Sequence, residues 1–288
     1  MIRSLPTAAA TVLTVAVSAG AQPPSGNGDV APAETGSKLA FQFAPGVWLP
    51  RLNGSAKLGP SAFADHVDFE YQFELDDMEP TLNGELLLTF GEDWQLFFSG
   101  FDFSTDNEGR FVGFSDFGSL RFFPGDRYRA SFDTASYAVE GLLPIAEPVG
   151  SIIGPAAGEN AALSFSALLG LRWLDVDQSV ESLDFGGVEE TGGEWLAGSL
   201  GMRVNLQYEP DPAWWIMKRL EIDVAAGAGP ALDGSGTFWQ IRGGMTAYVT
   251  EQIGFTLGYR LLEMDLSKDE YDLDGGMKGL FIAGTVRF

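Results

Sequence analysis

Nine ionisable side chains recur in the middle of apolar, alternating stretches of this sequence: Glu85, Glu140, Arg172, Arg203, Glu221, Asp223, Arg242, Arg260 and Arg287. Charges withdrawn from water persist only when paired or hydrogen-bonded. Groups of both signs at such positions therefore imply one of two chemistries. The first is an internal web of ion pairs; the second is a selectivity lining for a small anionic or zwitterionic solute. Arg242, Arg260 and Arg287 fall on three successive segments, with Glu221 and Asp223 on the segment just before them. Neighbouring strands lie about 4.8 Å apart, so these side chains can meet if the segments pair in order.

The other candidate is His66, the single histidine, in "FADHVDFE" beside Asp65 and Asp68. Imidazole next to a carboxylate can act as a general base. No Gly-x-Ser-x-Gly elbow accompanies it. Cys 0 removes thiolate nucleophiles, thiolate metal sites and disulfides together, and His 1 leaves no histidine-rich metal site. We expect an exposed loop histidine, no enzyme, and no metal or other cofactor.

The elements that must position the nine charges have a period of two. Leu163, Phe165, Ala167, Leu169, Leu171 and Trp173 oppose Ser164, Ser166, Leu168, Gly170 and Arg172. Ile253, Phe255, Leu257, Tyr259 and Leu261 oppose Gly254, Thr256, Gly258 and Arg260. Similar runs recur from Leu39 to the end. One face is uniformly apolar, and the other is small and polar with isolated charges. A soluble β-sandwich would fill its second face with Lys, Glu and Thr; Gly, Ala, Ser and scattered charges suit a narrow, wet lumen. Two segments resist assignment, Trp94–Ser104 with aromatics on both faces and Phe111–Phe123 with interrupting glycines.

Connections between the runs differ in length. Gly91–Asp93 and Glu251–Gln252 are tight, whereas Thr105–Arg127 and Asp177–Gly193 read as long polar loops. Pro50–Asp77 reads either as an outer loop with a small hairpin or as two further strands. These features predict an all-β fold, a transmembrane antiparallel up-and-down β-barrel of about ten strands, with eight to twelve tolerable. A barrel of that size is too narrow for an open pore once its side chains are in place. Trp48, Trp94, Trp173, Trp195, Trp214, Trp215 and Trp239 fall near predicted strand ends, as expected of interfacial girdles.

Residues 1–21 read as a secretory signal peptide, with Arg3, an apolar run from about Leu5 to Val17, and Ala19 and Ala21 spaced for cleavage before Gln22. Residues 22–37 form a flexible Pro/Gly/Ser lead-in, and residues 38–288 the barrel. The net charge of -23 argues against nucleic acid as a partner. Acidic residues cluster in Asp65–Glu79, Asp175–Glu194 and Asp265–Asp274, which read as solvated loops. Divalent-cation binding is the sharper alternative, although none of the clusters has EF-hand order.

The stretches "VWLPRLNG", "GELLLTFGEDWQLFFSGFDFST", "LGYRLLEMDL" and "GLFIAGTVRF" resemble Gram-negative outer-membrane β-barrel proteins of unassigned activity. The resemblance implies an outer-membrane location and a lipid-facing surface. The terminal Phe288 with Val286 and Gly284 is similar to the signal read by barrel-assembly machinery, Gly284 being a departure at an apolar position. No catalytic residues carry over. The expected role is structural or surface-interacting, with a mostly filled lumen, and a narrow channel for small solutes is the alternative.

Overall fold

The computed structural model describes residues 39–59, 66–91, 94–146, 161–210 and 216–288, and every helix-or-strand element among them is a strand. The segments read as signal peptide and lead-in lie outside the described residues. The strands are β1 (Leu39–Leu58), β2 (Val67–Asp68), β3 (Thr81–Phe90), β4 (Trp94–Arg110), β5 (Ser115–Phe117), β6 (Leu120–Phe122) and β7 (Arg127–Ala146). They continue as β8 (Ala161–Ser182), β9 (Val188–Tyr208), β10 (Arg219–Pro230), β11 (Ser235–Tyr248), β12 (Ile253–Lys268) and β13 (Tyr271–Arg287).

All but β2, β5 and β6 pair antiparallel in the order β1-β3-β4-β7-β8-β9-β10-β11-β12-β13, and β13 returns to β1. The result is a closed barrel of ten staves, as the alternation predicts. In the terminal half closure leaves no sheet edge, so backbone groups there find partners within the wall; beyond it β4 past Phe101 and most of β9 before Leu200 have no ladder toward β3 and β10. Pro144 cannot donate to a ladder and stands where the β7–β8 register shifts. At the seam, the Phe288 N–H donates to the Phe41 carbonyl at 2.9 Å, and the two rings stack at 4.7 Å.

The staves are longer than a bilayer requires. β8 has 22 residues, which at about 3.3 Å per residue and a tilt of roughly 40° rise about 55 Å, roughly twice the apolar band of about 25 Å. The wall changes character along that length. On β8, Leu169 and Leu171 point outward and Arg172 inward; past Trp173, Asp175 and Asp177 point outward and Leu174, Val176 and Val180 inward. β12 repeats this, with Phe255, Leu257 and Tyr259 outside Arg260, then Glu263 and Asp265 outside Leu262, Met264 and Leu266. The terminal half, containing Leu39 and Phe288, is apolar outside and charged inside. The far half has the opposite polarity, like a water-soluble protein, and encloses an apolar core.

Where the sequence predicts a narrow, wet and mostly filled lumen, that core fills the far half with apolar side chains. Trp48, Phe101, Phe103, Phe132, Trp195 and Met277 belong to it. Phe69 and Phe73 from the segment after β2, with Phe111, Phe117 and Phe122 around the β5–β6 hairpin, cap it from above. Phe111 stacks on Phe122 at 4.2 Å and meets Tyr128 edge-on at 5.0 Å.

Three further readings are corrected. Asp177–Gly193 is mostly strand, because β8 runs to Ser182 and β9 starts at Val188; β4 likewise continues to Arg110. The acidic residues of 175–194 and 265–274 accordingly stand mainly on the outer faces of staves rather than in loops. Of the two readings of Pro50–Asp77, the one with two further strands falls and the one with a small hairpin stands: β1 continues to Leu58, and β2 is a two-residue strand folded back against it.

Candidate functional site

All nine charged residues face the lumen, and they assemble in three groups within the terminal half. Glu85 on β3 accepts from Arg242 and, at 2.8 Å, from Arg260 Nη2. Arg242 Nη1 donates to Asp223 Oδ1 at 2.9 Å, and Arg203 Nε donates to Asp223 Oδ2 at 2.5 Å. β3 and β12 are not neighbours in the sheet, so the Glu85 contacts cross the lumen.

Aromatic faces carry these guanidiniums: Arg260 lies 5.6 Å from the Trp48 ring, Arg242 5.2 Å from Phe281 and Arg203 5.7 Å from Phe97. Gly258 makes room for Phe281, since a Cβ there would stand 2.4 Å from its ring.

The second group surrounds Glu221. Arg287 Nη2 reaches its Oε1 at 2.9 Å, Arg219 Nε lies 3.3 Å from the same oxygen, and the Tyr248 hydroxyl donates to Oε2 at 3.3 Å. Gln42 Oε1 accepts a further bond from Arg287 at 2.9 Å.

In the third group Arg172 donates to Ser136 Oγ and Gln240 Oε1, both at 2.7 Å, while Glu140 accepts from Ser199 at 2.8 Å and from Gln240 Nε2 at 3.4 Å. Sequence reasoning had Arg242, Arg260 and Arg287 meeting Glu221 and Asp223 inside the barrel without saying which pairs with which. It missed Arg219, Gln42, Gln240 and Tyr248, although each has the same strand parity as the charges it joins.

The network leaves little free space. Cavities among its side chains measure about 20 and 30 Å³, each room for about one water. Nearer the terminal end lies a larger polar cavity of about 310 Å³, lined among others by Gln95, Ser166, Arg203, Asn205, Gln207 and Arg287.

The outer wall of the far half holds the strongest like-charge juxtaposition. Asp133 stands directly opposite Asp177, and Asp175 opposite Glu194. Partial desolvation, followed by neighbouring carboxylates, holds Asp175 and Asp177 above the ordinary aspartate range. Asp265 likewise stands opposite Asp274, whereas Asp184 is answered: Arg127 holds it below that range, first through its backbone N–H and then through its guanidinium. The acidic row is spread along the staves, and among the described residues no three His, Asp or Glu side chains converge as a metal ion would require.

His66 stands apart from both sites. Its Nδ1 is 3.5 Å from Ser55 Oγ. Asp68 does not orient it, because Asp68 Oδ1 accepts the backbone N–H groups of Glu70 and Tyr71, each at 2.8 Å, in a local turn. Asp65 lies outside the described residues.

The tryptophans divide between two environments. Trp94 is exposed at the terminal edge of the apolar band; Trp239 is exposed at its other edge, where Trp173 stacks on Tyr137 at 5.6 Å. Trp48 and Trp195 are fully buried in the interior instead of forming a girdle. Each has inward parity on its stave, which outweighs its closeness to a presumed strand end. Trp214 and Trp215 lie outside the described residues.

The fold defined by this geometry is a closed all-β barrel of the outer-membrane kind, and comparison with solved structures agrees. The chain is similar to the outer-membrane protease OmpT of Escherichia coli, with a TM-score of 0.51 and 8% identity over 86% of this chain and 97% of that one. It also matches Ail, the attachment invasion locus protein of Yersinia pestis, at a TM-score of 0.33 and 15% identity over 87% and 99% of the two chains. The transport unit of the autotransporter AIDA-I of Escherichia coli matches at 0.35 and 13% identity over 89% and 91%. No family model and no curated protein matches the chain. At these identities the likeness is one of fold.

Proposed function

We propose that this chain is an outer-membrane barrel with an occluded lumen, whose work is done by the part standing above the membrane as a surface-interaction or structural element. The observation that carries the reading is the inversion of wall polarity along the long staves, as on β8 and β12. A band apolar outside and charged inside suits lipid; the continuation, acidic outside and aromatic inside, suits water. A barrel filled in both halves offers solutes no path, so a surface role fits better than conduction. Outer-membrane lipid contacts the band, and the barrel-assembly machinery reads the closing strand through Phe288, Val286 and Gly284. The acidic outer wall disfavours nucleic acid and favours cationic partners.

The reading includes no catalysis. Its support is local: Asp68 is committed to a turn, and among the described residues His66 has only a long contact to a serine hydroxyl. A hydrolytic activity abolished by His66→Ala would reverse it.

Because the chain has Cys 0, single cysteines report topology without background. Phe185→Cys, between β8 and β9, should react with a membrane-impermeant maleimide on intact cells. Thr250→Cys, at the opposite end, should react only after the outer membrane is opened. The reverse pattern, or labelling of both sites in intact cells, would overturn the reading.

A further inference from the structure

The interior of the terminal half is richer in cations than its own carboxylates can balance. Its three groups hold six guanidiniums, Arg172, Arg203, Arg219, Arg242, Arg260 and Arg287, against four carboxylates, Glu85, Glu140, Glu221 and Asp223. This surplus occurs in a chain with Lys+Arg 17 and Asp+Glu 40.

It is also localised. Arg203, Arg242 and Arg260 share Asp223 and Glu85, while Arg219 and Arg287 share Glu221. Each set is one negative charge short, and each contributes an arginine to the wall of the polar cavity, Arg203 from one and Arg287 from the other; Glu221 also stands in that wall, already shared by Arg219 and Arg287. Withdrawn positive charge without a counter-charge is costly, so an anion drawn into this cavity would gain from both sets.

The remaining lining points to the anion's chemistry. The side chains of Gln95, Ser166, Asn205 and Gln207 face the same cavity and make no hydrogen bond with other described residues. Amides and hydroxyls offer donors and acceptors together, which match hydroxyl groups better than a bare inorganic ion. A volume of about 310 Å³ lies at the small end of ligand pockets. We infer that this cavity binds a small hydroxylated carboxylate, its carboxylate toward Arg203 and Arg287 and its hydroxyls toward the amides and Ser166. This site is independent of the surface role, since it lies at the other end of the barrel.

The test is calorimetric titration of the full-length chain, refolded in detergent, with citrate, gluconate and the neutral polyol glucitol. Saturable binding of both anions is expected, with glucitol weaker by tenfold or more, about what losing a charge-assisted contact costs. The double variant Ser166→Val/Gln207→Leu removes lining groups that hold nothing else in place, so it should keep its heat-modifiable gel mobility while weakening gluconate about tenfold. Absence of saturable binding for either anion, equal binding of glucitol, or unchanged gluconate affinity in the folded double variant would each overturn the inference.

Discussion

Arg242 sits between two carboxylates, Glu85 and Asp223, and leans on the Phe281 ring. Removing one partner of a buried pair leaves the others desolvated without compensation, at a cost of about 3–5 kcal/mol. Arg260 and Arg203 remain to answer Glu85 and Asp223, so Arg242→Ala should fall near the lower bound. Arg129, which pairs with Glu108 and Glu181 on the exposed wall, should cost far less as Arg129→Ala, because solvent screens an exposed pair. The temperature at which each variant loses its folded gel mobility compares the two; equal losses would contradict a buried network.

Asp177 makes the opposite argument at the same scale. Its folded pKa is raised, so the folded state binds protons more tightly than the unfolded state. Stability attributable to this group is therefore lost as pH rises from the unfolded value through the folded one. Asp177→Asn should raise the melting temperature at neutral pH by a small margin, worth a few tenths of a kcal/mol for an exposed like-charge pair. The gain should vanish once both forms are protonated in acid, which melting curves across pH would show.

Elements were legible where one face of a stave kept one character. Leu163–Trp173 and Ile253–Leu261 kept it, and both were readable as strands facing lipid. Beyond Trp173 the apolar set moves from odd positions, Leu169 and Leu171, to even ones, Leu174 and Val176. That shift of phase resembles a break in the strand, although the backbone continues. Its cause is a change of solvent outside the wall from lipid to water, which a rule assuming one exterior reads as a loop. The same assumption misplaced Trp48 and Trp195. The nine charges were legible by parity, but which carboxylate each arginine chooses was not, because Glu85 reaches Arg260 across the lumen rather than between adjacent staves.

At the closing element, Gly284 faces outward with nothing within 4 Å of an added Cβ. Gly284→Val should restore the apolar pattern of the terminal strand and add β-propensity without a clash. The assembled, heat-modifiable fraction in the outer membrane should stay equal or rise. At the opposite end Phe111 is packed between Phe122 and Tyr128; Phe111→Ala should cost about 3–5 kcal/mol. The loops above the core should become sensitive to added protease, while the membrane band stays intact.

The whole molecule joins two differently solvated halves through continuous staves. The lower half sets a charged interior against lipid, the upper an aromatic interior against water, and together they block the lumen above the terminal cavity. Planar-bilayer recording of the purified, refolded chain tests this most directly. An occluded barrel predicts insertion without a stable open level. Arg242→Ala should remain non-conducting, because the aromatic core above it is untouched. Long-lived, reproducible unit conductance from the unaltered chain would contradict the filled lumen and move the function to solute passage.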